Sequence, residues 1–255
     1  MTASPAPGRT EGIVAITGAS RGIGACVALE LARRGFAVAC LTRAGRGIEE
    51  GGVPPELAAR LLALRCDVTD ETSIREALAQ AAQQGGGLRG LVNNAGFHSH
   101  GPSAELSSAE LRRVLETNVT GLFACCREAH PHLQARGGGL IVNMGSFFDR
   151  MGVPRNLAYS ASKAAVAGIT RCLAVEWAAE RIQVLNVAPG YIETSLNRDF
   201  LQRPAVRDYL LPRIPVGRPG RPEEVARLVA ALFCEELAFL TGETIYMDGG
   251  QGIAH

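Results

Sequence analysis

The chain has 255 residues, 47% hydrophobic and 20% charged, which suits one sizeable α/β domain with a well-buried core. Twenty-six basic residues against 25 acidic ones leave a net charge of +1, so no global field points to nucleic acid or an anionic membrane surface. No stretch approaches the ~18 uninterrupted apolar residues of a membrane span, and the seven cysteines contain no CxxC pair, which suits a reducing cytosol better than secretion.

Residues 1–10 lack an apolar stretch and read as a flexible tail; residues 11–255 read as a single domain. Gly12 to Thr17 contains a short buried strand, Ile13-Val14-Ala15-Ile16. A helix follows from Gly22 to Arg34, with Ile23, Val27 and Leu31 four apart. Phe36 to Leu41 is a second strand, Ala44 to Pro55 a Gly/Pro-rich loop, and Glu56 to Leu61 one or two helical turns. Leu62 to Cys66 is a third strand. Thr69-Asp70 can cap a helix to about Gln84, stopped by Gly85-Gly86-Gly87. Leu88 to Asn93 is a fourth strand. Ser107 or Ser108 caps a long helical region to about Ala135, with a bend expected at Pro131. Leu140 to Met144, Gln183 to Val187 and Glu243 to Met247 complete seven strands. Helices run over Ala158 to Glu180 and Glu223 to Glu236. Strands apolar on both faces, alternating with helices, predict a Rossmann-like, doubly wound parallel sheet covered on both sides. Asp199 to Arg221, with four prolines, is the one long irregular insertion, a length that usually marks a functional lid.

Tyr159 and Lys163 stand four residues apart on a predicted helix, so both side chains share one face with Cβ atoms about 5–6 Å apart. A phenol titrates near pH ~10; bringing it to about 7 requires about 4 kcal/mol of differential stabilisation. One lysine does not supply all of that, so a chemical role for the pair calls for a second positive charge nearby. Thr17-Gly18-Ala19-Ser20-Arg21-Gly22-Ile23-Gly24 lies between the first strand and first helix. Its glycines permit a tight turn, and the helix start offers free N–H groups to a pyrophosphate. At the end of the second strand, Val38 to Gly47 contains no acid to meet ribose hydroxyls, while Thr42-Arg43 stands there and Arg21 lies in the glycine loop. Two guanidinium groups suit the extra 2′-phosphate of NADP, with NAD as the alternative. Asn93-Asn94-Ala95-Gly96 ends the fourth strand. Asn118 interrupts a helical stretch. Ser146 lies thirteen residues before Tyr159, and Ala188 to Thr194 follows the sixth strand. These positions gather at the carboxyl edge of the sheet or on flanking helices, where open α/β sheets bind ligands.

Thr17-Gly18-x-x-x-Gly22-x-Gly24, Asn93-Asn94-Ala95-Gly96, Ser146 and Tyr159-x-x-x-Lys163 occur in order, and on them the chain resembles the short-chain dehydrogenase/reductase family from about Gly12 to Gly250. It is most similar there to 3-oxoacyl carrier-protein reductases and related carbonyl reductases. The resemblance implies a hydride transfer between NADP(H) and a ketone or secondary alcohol. Tyr159 would be general acid or base, and Ser146 would hold the substrate oxygen. Lys163 would bind the nicotinamide ribose, and Asn118 would keep a relay water. The oxidised nicotinamide would supply the second positive charge. Gly18, Ser20, Arg21, Gly22, Ile23 and Gly24, with Thr42 and Arg43, would hold phosphates. Asp67 and Val68 would meet adenine, and Asn93, Ala95 and Gly96 would line the groove. Pro189, Gly190, Ile192 and Thr194 would border the nicotinamide. Residues from about 194 to 213 would form the lid, and the molecule would be a cytoplasmic homo-oligomer, a tetramer or a dimer.

The pocket-side candidates are Phe97, His98, Phe147, Phe148, Met151, Val153, Tyr191, Leu196 and Phe200. This apolar, partly aromatic set suits a ketone with an acyl, aryl or ring substituent better than a bare sugar. A carrier-tethered acyl chain would need a basic surface, to which Arg127, Arg136, Arg171 and Arg181 could contribute; a sugar, polyol or secondary-metabolite alcohol is the alternative substrate. A dinucleotide-binding sensor without turnover is the rival from another class. Gly145 stands where a serine is more usual, and Phe147-Phe148 is bulkier than the small residues often found there. His130 and His132 are expected to be exposed, Trp177 to be core or interface, and every cysteine to act as a small hydrophobe.

Overall fold

The computed structural model describes residues 11–195, 197–235 and 237–254, so the expected N-terminal tail and the pocket candidate Leu196 lie outside it. Seven strands form one parallel sheet: β1 (Ile13–Thr17), β2 (Ala37–Thr42), β3 (Leu61–Arg65), β4 (Leu88–Asn93), β5 (Gly139–Met144), β6 (Ile182–Pro189) and β7 (Thr244–Met247). Their order is β3-β2-β1-β4-β5-β6-β7. The winding reverses between β1 and β4, and a crevice opens outside the carboxyl ends of strands at such a reversal.

The helices are α1 (Gly22–Arg33), α2 (Glu71–Gln84), α3 (Ser108–Leu115), α4 (Gly121–Ala135), α5 (Leu157–Trp177), α6 (Arg198–Leu201), α7 (Pro204–Leu210) and α8 (Pro222–Cys234). Two apolar layers sandwich the sheet. Val27 and Leu31 of α1 pack with Val225, Val229 and Phe233 of α8 on one face. Ile74 and Leu78 of α2, Cys126 and Leu133 of α4, and Val166 and Leu173 of α5 fill the other. Burial on both sides explains why β1 reads as an unbroken apolar run. Asp70 caps α2, accepting from Thr72 N at 2.9 Å, and Ser107 caps α3, accepting from Glu110 N at 3.1 Å.

Four expectations need correction. The long third helix is interrupted by a wide π-type turn at Glu116–Thr120, while Pro131 lies inside α4. Asn118, in that turn, bonds to a neighbouring loop and to α5, and these tertiary bonds outweigh regular helix. The segment after Asp199 is not irregular: it forms α6 and α7, with Leu201, Leu210 and Ile214 buried. Pro204 opens α7, where its missing N–H has no helical partner to lose. Cys172 is exposed on α5, and His130 is half-buried with its ring 4.7 Å from that of Trp177.

Between β2 and β3 there is no α-helix. A glycine-rich loop and a 3-10 turn at Pro55–Arg60 cover that edge, above a cavity of about 170 Å³ lined by Cys40, Ile48, Val53, Ala58, Leu61 and Ala63. Among the described residues no helix is long and apolar enough to cross a membrane.

Candidate active site

β5 delivers Ser146 just beyond its last residue, in extended backbone at φ −166. The first two turns of α5 deliver Tyr159 and Lys163 to the same place. The Ser146 hydroxyl accepts from Phe148 N at 3.3 Å and stands close enough to the Tyr159 phenol to favour its ionised form. Lys163 is 5% exposed; its Nζ donates to Met144 O at 2.7 Å and lies 5.4 Å from the Tyr159 ring centroid. Burial holds Lys163 down to about 8 and pushes Tyr159 up to about 12, opposed by the Ser146 hydrogen bond. The folded chain alone therefore does not activate the phenol, in accord with a need for further positive charge.

A buried polar frame holds these groups. Asn118 Oδ1 accepts from Phe97 N at 2.7 Å; its Nδ2 donates to Phe97 O at 2.8 Å and to Ser162 Oγ at 3.0 Å. Its amide is thus committed to positioning the chain after β4. Asn93, Asn143 and Asn186 stand in register on β4, β5 and β6. Asn93 Nδ2 donates to Asn143 Oδ1 at 2.9 Å, and Asn143 Nδ2 donates to Thr170 Oγ1 on α5 at 3.0 Å. The Asn93 side chain is therefore buried beneath the sheet rather than lining the groove, and only its backbone reaches that edge. Gly145 has a reason of its own: a Cβ there would collide with the Asn186 amide.

The neighbouring Asn94, part of the sequence motif but given no role there, organises the glycine loop. Its Nδ2 donates to Thr17 O at 3.1 Å and Gly18 O at 3.0 Å, while Thr17 Oγ1 accepts from Asn94 N and Ala95 N. Gly18, at φ +66, approaches the Ala95 backbone so closely that a Cβ would lie 2.9 Å from its Cα; at Gly24 a Cβ would collide with the Asn94 amide. Arg21 precedes α1 without capping it, so the leading amides are open to an anion. Gly22 N already donates to the carboxylate of Glu50, Oε2 at 2.9 Å, and Glu49 N and Glu50 N both donate to Ser20 O. An acid from a loop twenty-eight residues away acts here as a stand-in anion at the helix start, so the donor set fits a phosphate.

Arg21 and Arg43 are both exposed and make no ion pair among the described residues; Thr42 Oγ1 is buried with no hydrogen-bond partner. Asp67 accepts from Thr69 N at 3.0 Å and Thr69 Oγ1 at 2.8 Å, which holds its carboxyl below the usual range, with Arg43 contributing. The Val68 carbonyl packs against Gly121, at the start of α4. A Cβ on Gly96 would lie 3.5 Å from Asn118 Oδ1 and 4.0 Å from Lys163 Nζ. Across the groove, a Cβ on Gly22 would lie 3.6 Å from Thr194 Cγ2, so the glycine loop and the chain after β6 face each other. Ile192 is buried and bridges to Gly220; Pro189 ends β6, and Gly190 N donates to Met247 O. Ser20 and Ile23 keep the positions expected in the turn and at the start of α1.

Four of the predicted pocket residues meet Tyr159 or one another. Ring centroids are separated by 4.8 Å for His98–Tyr159, 5.9 Å for Phe148–Tyr159, 5.4 Å for Phe147–Tyr191 and 6.0 Å for Phe148–Tyr191. Phe97 instead carries the Arg113 guanidinium 4.2 Å over its ring. Met151 and Val153 lie half-buried in the loop between β5 and α5. Phe200 is 48% exposed on α6, with Arg203 5.8 Å from its ring, and makes no ring contact with the aromatic group. Tyr209, on α7 within the expected lid segment, is 55% exposed and carries the Arg213 guanidinium 3.9 Å over its ring.

The family described as Enoyl-(Acyl carrier protein) reductase matches residues 18–251. The chain belongs to the short-chain dehydrogenase/reductase family, oxidoreductases that bind a nicotinamide dinucleotide and act on CH–OH or C=O groups of small molecules. It is 40% identical to a cis-4-hydroxycyclohexanecarboxylate dehydrogenase of Sinomonas cyclohexanicum, over 94% of this chain and 96% of that one. It is 34% identical to a 3-oxoacyl-[acyl-carrier-protein] reductase of Staphylococcus aureus, over 92% and 96%. Among solved structures, a gluconate 5-dehydrogenase from Burkholderia cenocepacia, in complex with NADP and tartrate, superposes with TM-score 0.86 at 30% identity, covering 97% of this chain and 98% of that one.

Proposed function

We propose that this enzyme interconverts a cyclic or otherwise compact ketone and its secondary alcohol, with NADP(H) supplying or accepting the hydride at the carbonyl carbon. The reading rests on one constellation: Ser146 beside Tyr159, where it favours the phenolate, with Lys163 buried behind them. Tyr159 gives its proton to the substrate oxygen in reduction and takes it back in oxidation, while Ser146 donates to that oxygen as charge develops. Lys163 holds the ribose of the nicotinamide. Asn118 keeps the relay water through its backbone, because its amide is committed to Phe97 and Ser162. Gly18, Ser20, Gly22, Ile23 and Gly24 cradle the pyrophosphate, Arg21 and Arg43 hold the 2′-phosphate, and Asp67 and Val68 meet the adenine. Residues 194–213 close over the substrate.

The aromatic wall of Phe147, Phe148 and Tyr191 supports a ring-bearing substrate, as does the cyclohexane ring in the name of the 40% identical relative. A carrier-tethered acyl chain is less well served. Of the four arginines such a carrier could meet, Arg127 is already paired with Glu71 at 2.8 Å and Glu128 at 2.9 Å, which weakens the basic patch. Phe123 on α4 and Val175 on α5, 41% and 82% exposed, support joining of subunits across these helices. Seven free cysteines suit a cytosolic setting.

The test is to mix purified protein with NADPH and a panel of cyclic, acyl and sugar ketones, following the reduced-nicotinamide absorbance. Turnover concentrated on cyclic ketones is expected. Tight NADPH binding without turnover of any ketone would leave a dinucleotide sensor instead.

A further inference from the structure

Beside Tyr159 stands a side chain for which the proton-transfer scheme has no use. His98 lies in the loop after β4, its ring edge-on to Tyr159 at 4.8 Å and 75°. It is exposed at its outer side yet held at several points. The preceding residue, Phe97, has both backbone groups bonded to Asn118. The ring itself is bonded through Nε2 to Asn156 Oδ1 at 2.8 Å. The orientation of that amide is fixed from behind: Asn156, 7% exposed, donates from Nδ2 to Pro154 O at 2.8 Å. Oδ1 can only accept, so His98 Nε2 carries the proton. Nδ1 is then the nitrogen left over, and among the described residues it has no partner.

The two loops that meet here are fastened together. Gly101 N donates to Arg155 O at 2.9 Å, and Arg155 adopts φ +66, a left-handed conformation uncommon for a residue with a side chain. Such a conformation persists where surrounding contacts impose it, and it clusters at ligand sites. The charges are also one-sided. Residues 96–101 and 150–156 contain His98, His100, Arg150 and Arg155 and no acid. Arg150 is engaged with Asp248 at 3.2 Å and over the Tyr246 ring at 3.5 Å, whereas Arg155 is exposed and makes no ion pair among the described residues. Tyr159 itself, Lys163 behind that ring and Arg113 over Phe97 are further charged or titratable groups on this side. Opposite them the wall is aromatic. Specificity in such a pocket comes from a few fixed polar groups on an apolar lining, and an imidazole locked by one nitrogen offers the other as that group.

We propose that His98 is a specificity-determining residue whose Nδ1 binds a carboxylate carried by the substrate a few bonds from the reacting carbon. Asn156 is its positioning residue. Once Nδ1 has taken a proton from solvent, the ring donates from both nitrogens, one to Asn156 and one to the substrate carboxylate. The inference rests on Tyr159 being the acid and base of the proposed reaction, because the location of His98 matters only relative to that group.

Two measurements test it. Steady-state rates with NADPH compare 4-oxocyclohexanecarboxylate with its methyl ester in the natural enzyme, His98→Phe and His98→Gln. The natural enzyme is expected to favour the acid. His98→Phe keeps an aromatic ring against Tyr159, and should raise KM for the acid by roughly 10- to 100-fold while leaving kcat for the ester within about threefold. His98→Gln, which still donates a hydrogen bond, should recover part of the loss. Acid and ester falling together would mean that His98 only packs against Tyr159, and equal use of both by the natural enzyme would likewise overturn the proposal. Calorimetry with cyclohexanecarboxylate, which has no carbonyl to reduce, reads binding without chemistry. It should bind the natural protein in the presence of NADP and lose affinity in His98→Phe. Absent or unaltered binding would overturn the inference even if ketones turn over, whereas carboxylate binding without any turnover would sink the redox reading and leave the site.

Discussion

The sheet is built differently on its two sides. From β4 to β6, side-chain amides run in register beneath the catalytic edge, and Asn93, Asn143 and Thr170 are bonded in a chain from strand to strand to helix α5. From β1 to β3, the buried polar side chains among the described residues are Thr17 and Thr42, both at strand ends. Hydrocarbon fills the rest, and the outermost cover is a loop over a cavity. Apolar contact is non-directional, so it packs a strand without fixing where a given atom sits. A buried amide chain is directional, so it specifies geometry and is penalised when a member is lost, although Asn93 Oδ1 and Asn186 Oδ1 find no partner of their own among the described residues. The β4–β6 side therefore has the more exacting construction, and the β1–β3 side relies on backbone amides and exposed charge.

The sharpest test of that division is Tyr159→Phe. It removes one oxygen from the exacting side and leaves the glycine loop untouched. Turnover should fall by about 10³-fold or more, as loss of a positioned acid or base commonly costs ~10²–10⁴-fold, while NADPH titrations stay within about twofold. A near-natural rate would take Tyr159 out of the mechanism.

Next comes a pair of core substitutions read by urea melts. Asn143→Leu takes one partner from the Asn93 amide, which keeps Cys126 Sγ, and one from the Thr170 hydroxyl, which keeps Val166 O, and should cost about 2 kcal/mol. Cys40→Ala, on the β2 side beside the cavity, should cost about 1 kcal/mol, because only apolar contact is lost. Equal costs would remove the distinction between the two sides.

What could be read from the sequence divides along the same physical line. Tyr159 and Lys163 are one helical turn apart, and the glycine loop is contiguous, so short-range spacing revealed both. Asn93 and Asn94 could not be told apart that way. They are adjacent, yet the strand sends the first beneath the sheet and the second across to the glycine loop, and only the pairing of β4 with β1 and β5 decides which. The turn at Asn118 is likewise set by partners twenty-one and forty-four residues away. Glu50 escaped notice because an acid was sought at the end of β2, whereas this one returns from the following loop to Gly22.

Lys163 shows what the catalytic side sacrifices. Burial holds its folded value at about 8, against ~10.4 for a free lysine. Below about pH 8 both folded and unfolded chains carry the proton, so the whole cost of burying the ammonium is present. Between about 8 and 10 the unfolded chain binds more protons, so stability rises with pH there. The gap is worth roughly 3 kcal/mol, partly offset by the hydrogen bond to Met144 O. Lys163→Met should therefore abolish turnover yet stabilise the cofactor-free protein by about 1–2 kcal/mol at pH 7, a gain that shrinks as pH rises towards 10. Melting temperatures across that range read it directly. A gain that persists unchanged at pH 10 would mean that burial of the charge is not its source.

The smallest expected effect tests the cofactor side. Arg43 stands exposed at the end of β2, where its charge helps to lower the Asp67 carboxyl, so removing it disturbs no buried network. Arg43→Ala should weaken NADPH about tenfold, the loss of one charge-assisted contact to phosphate, and change NADH by less than about twofold. Glu50 works in the opposite sense. Its carboxylate lies at the same helix start that a phosphate would use, so Glu50→Gln should tighten both dinucleotides by a factor of about three through relief of repulsion between exposed charges. The two substitutions are separated by the 2′-phosphate alone. An Arg43→Ala enzyme that loses NADH and NADPH equally would place the arginine at the pyrophosphate or the adenine, and the preference for NADP would then have to rest on Arg21.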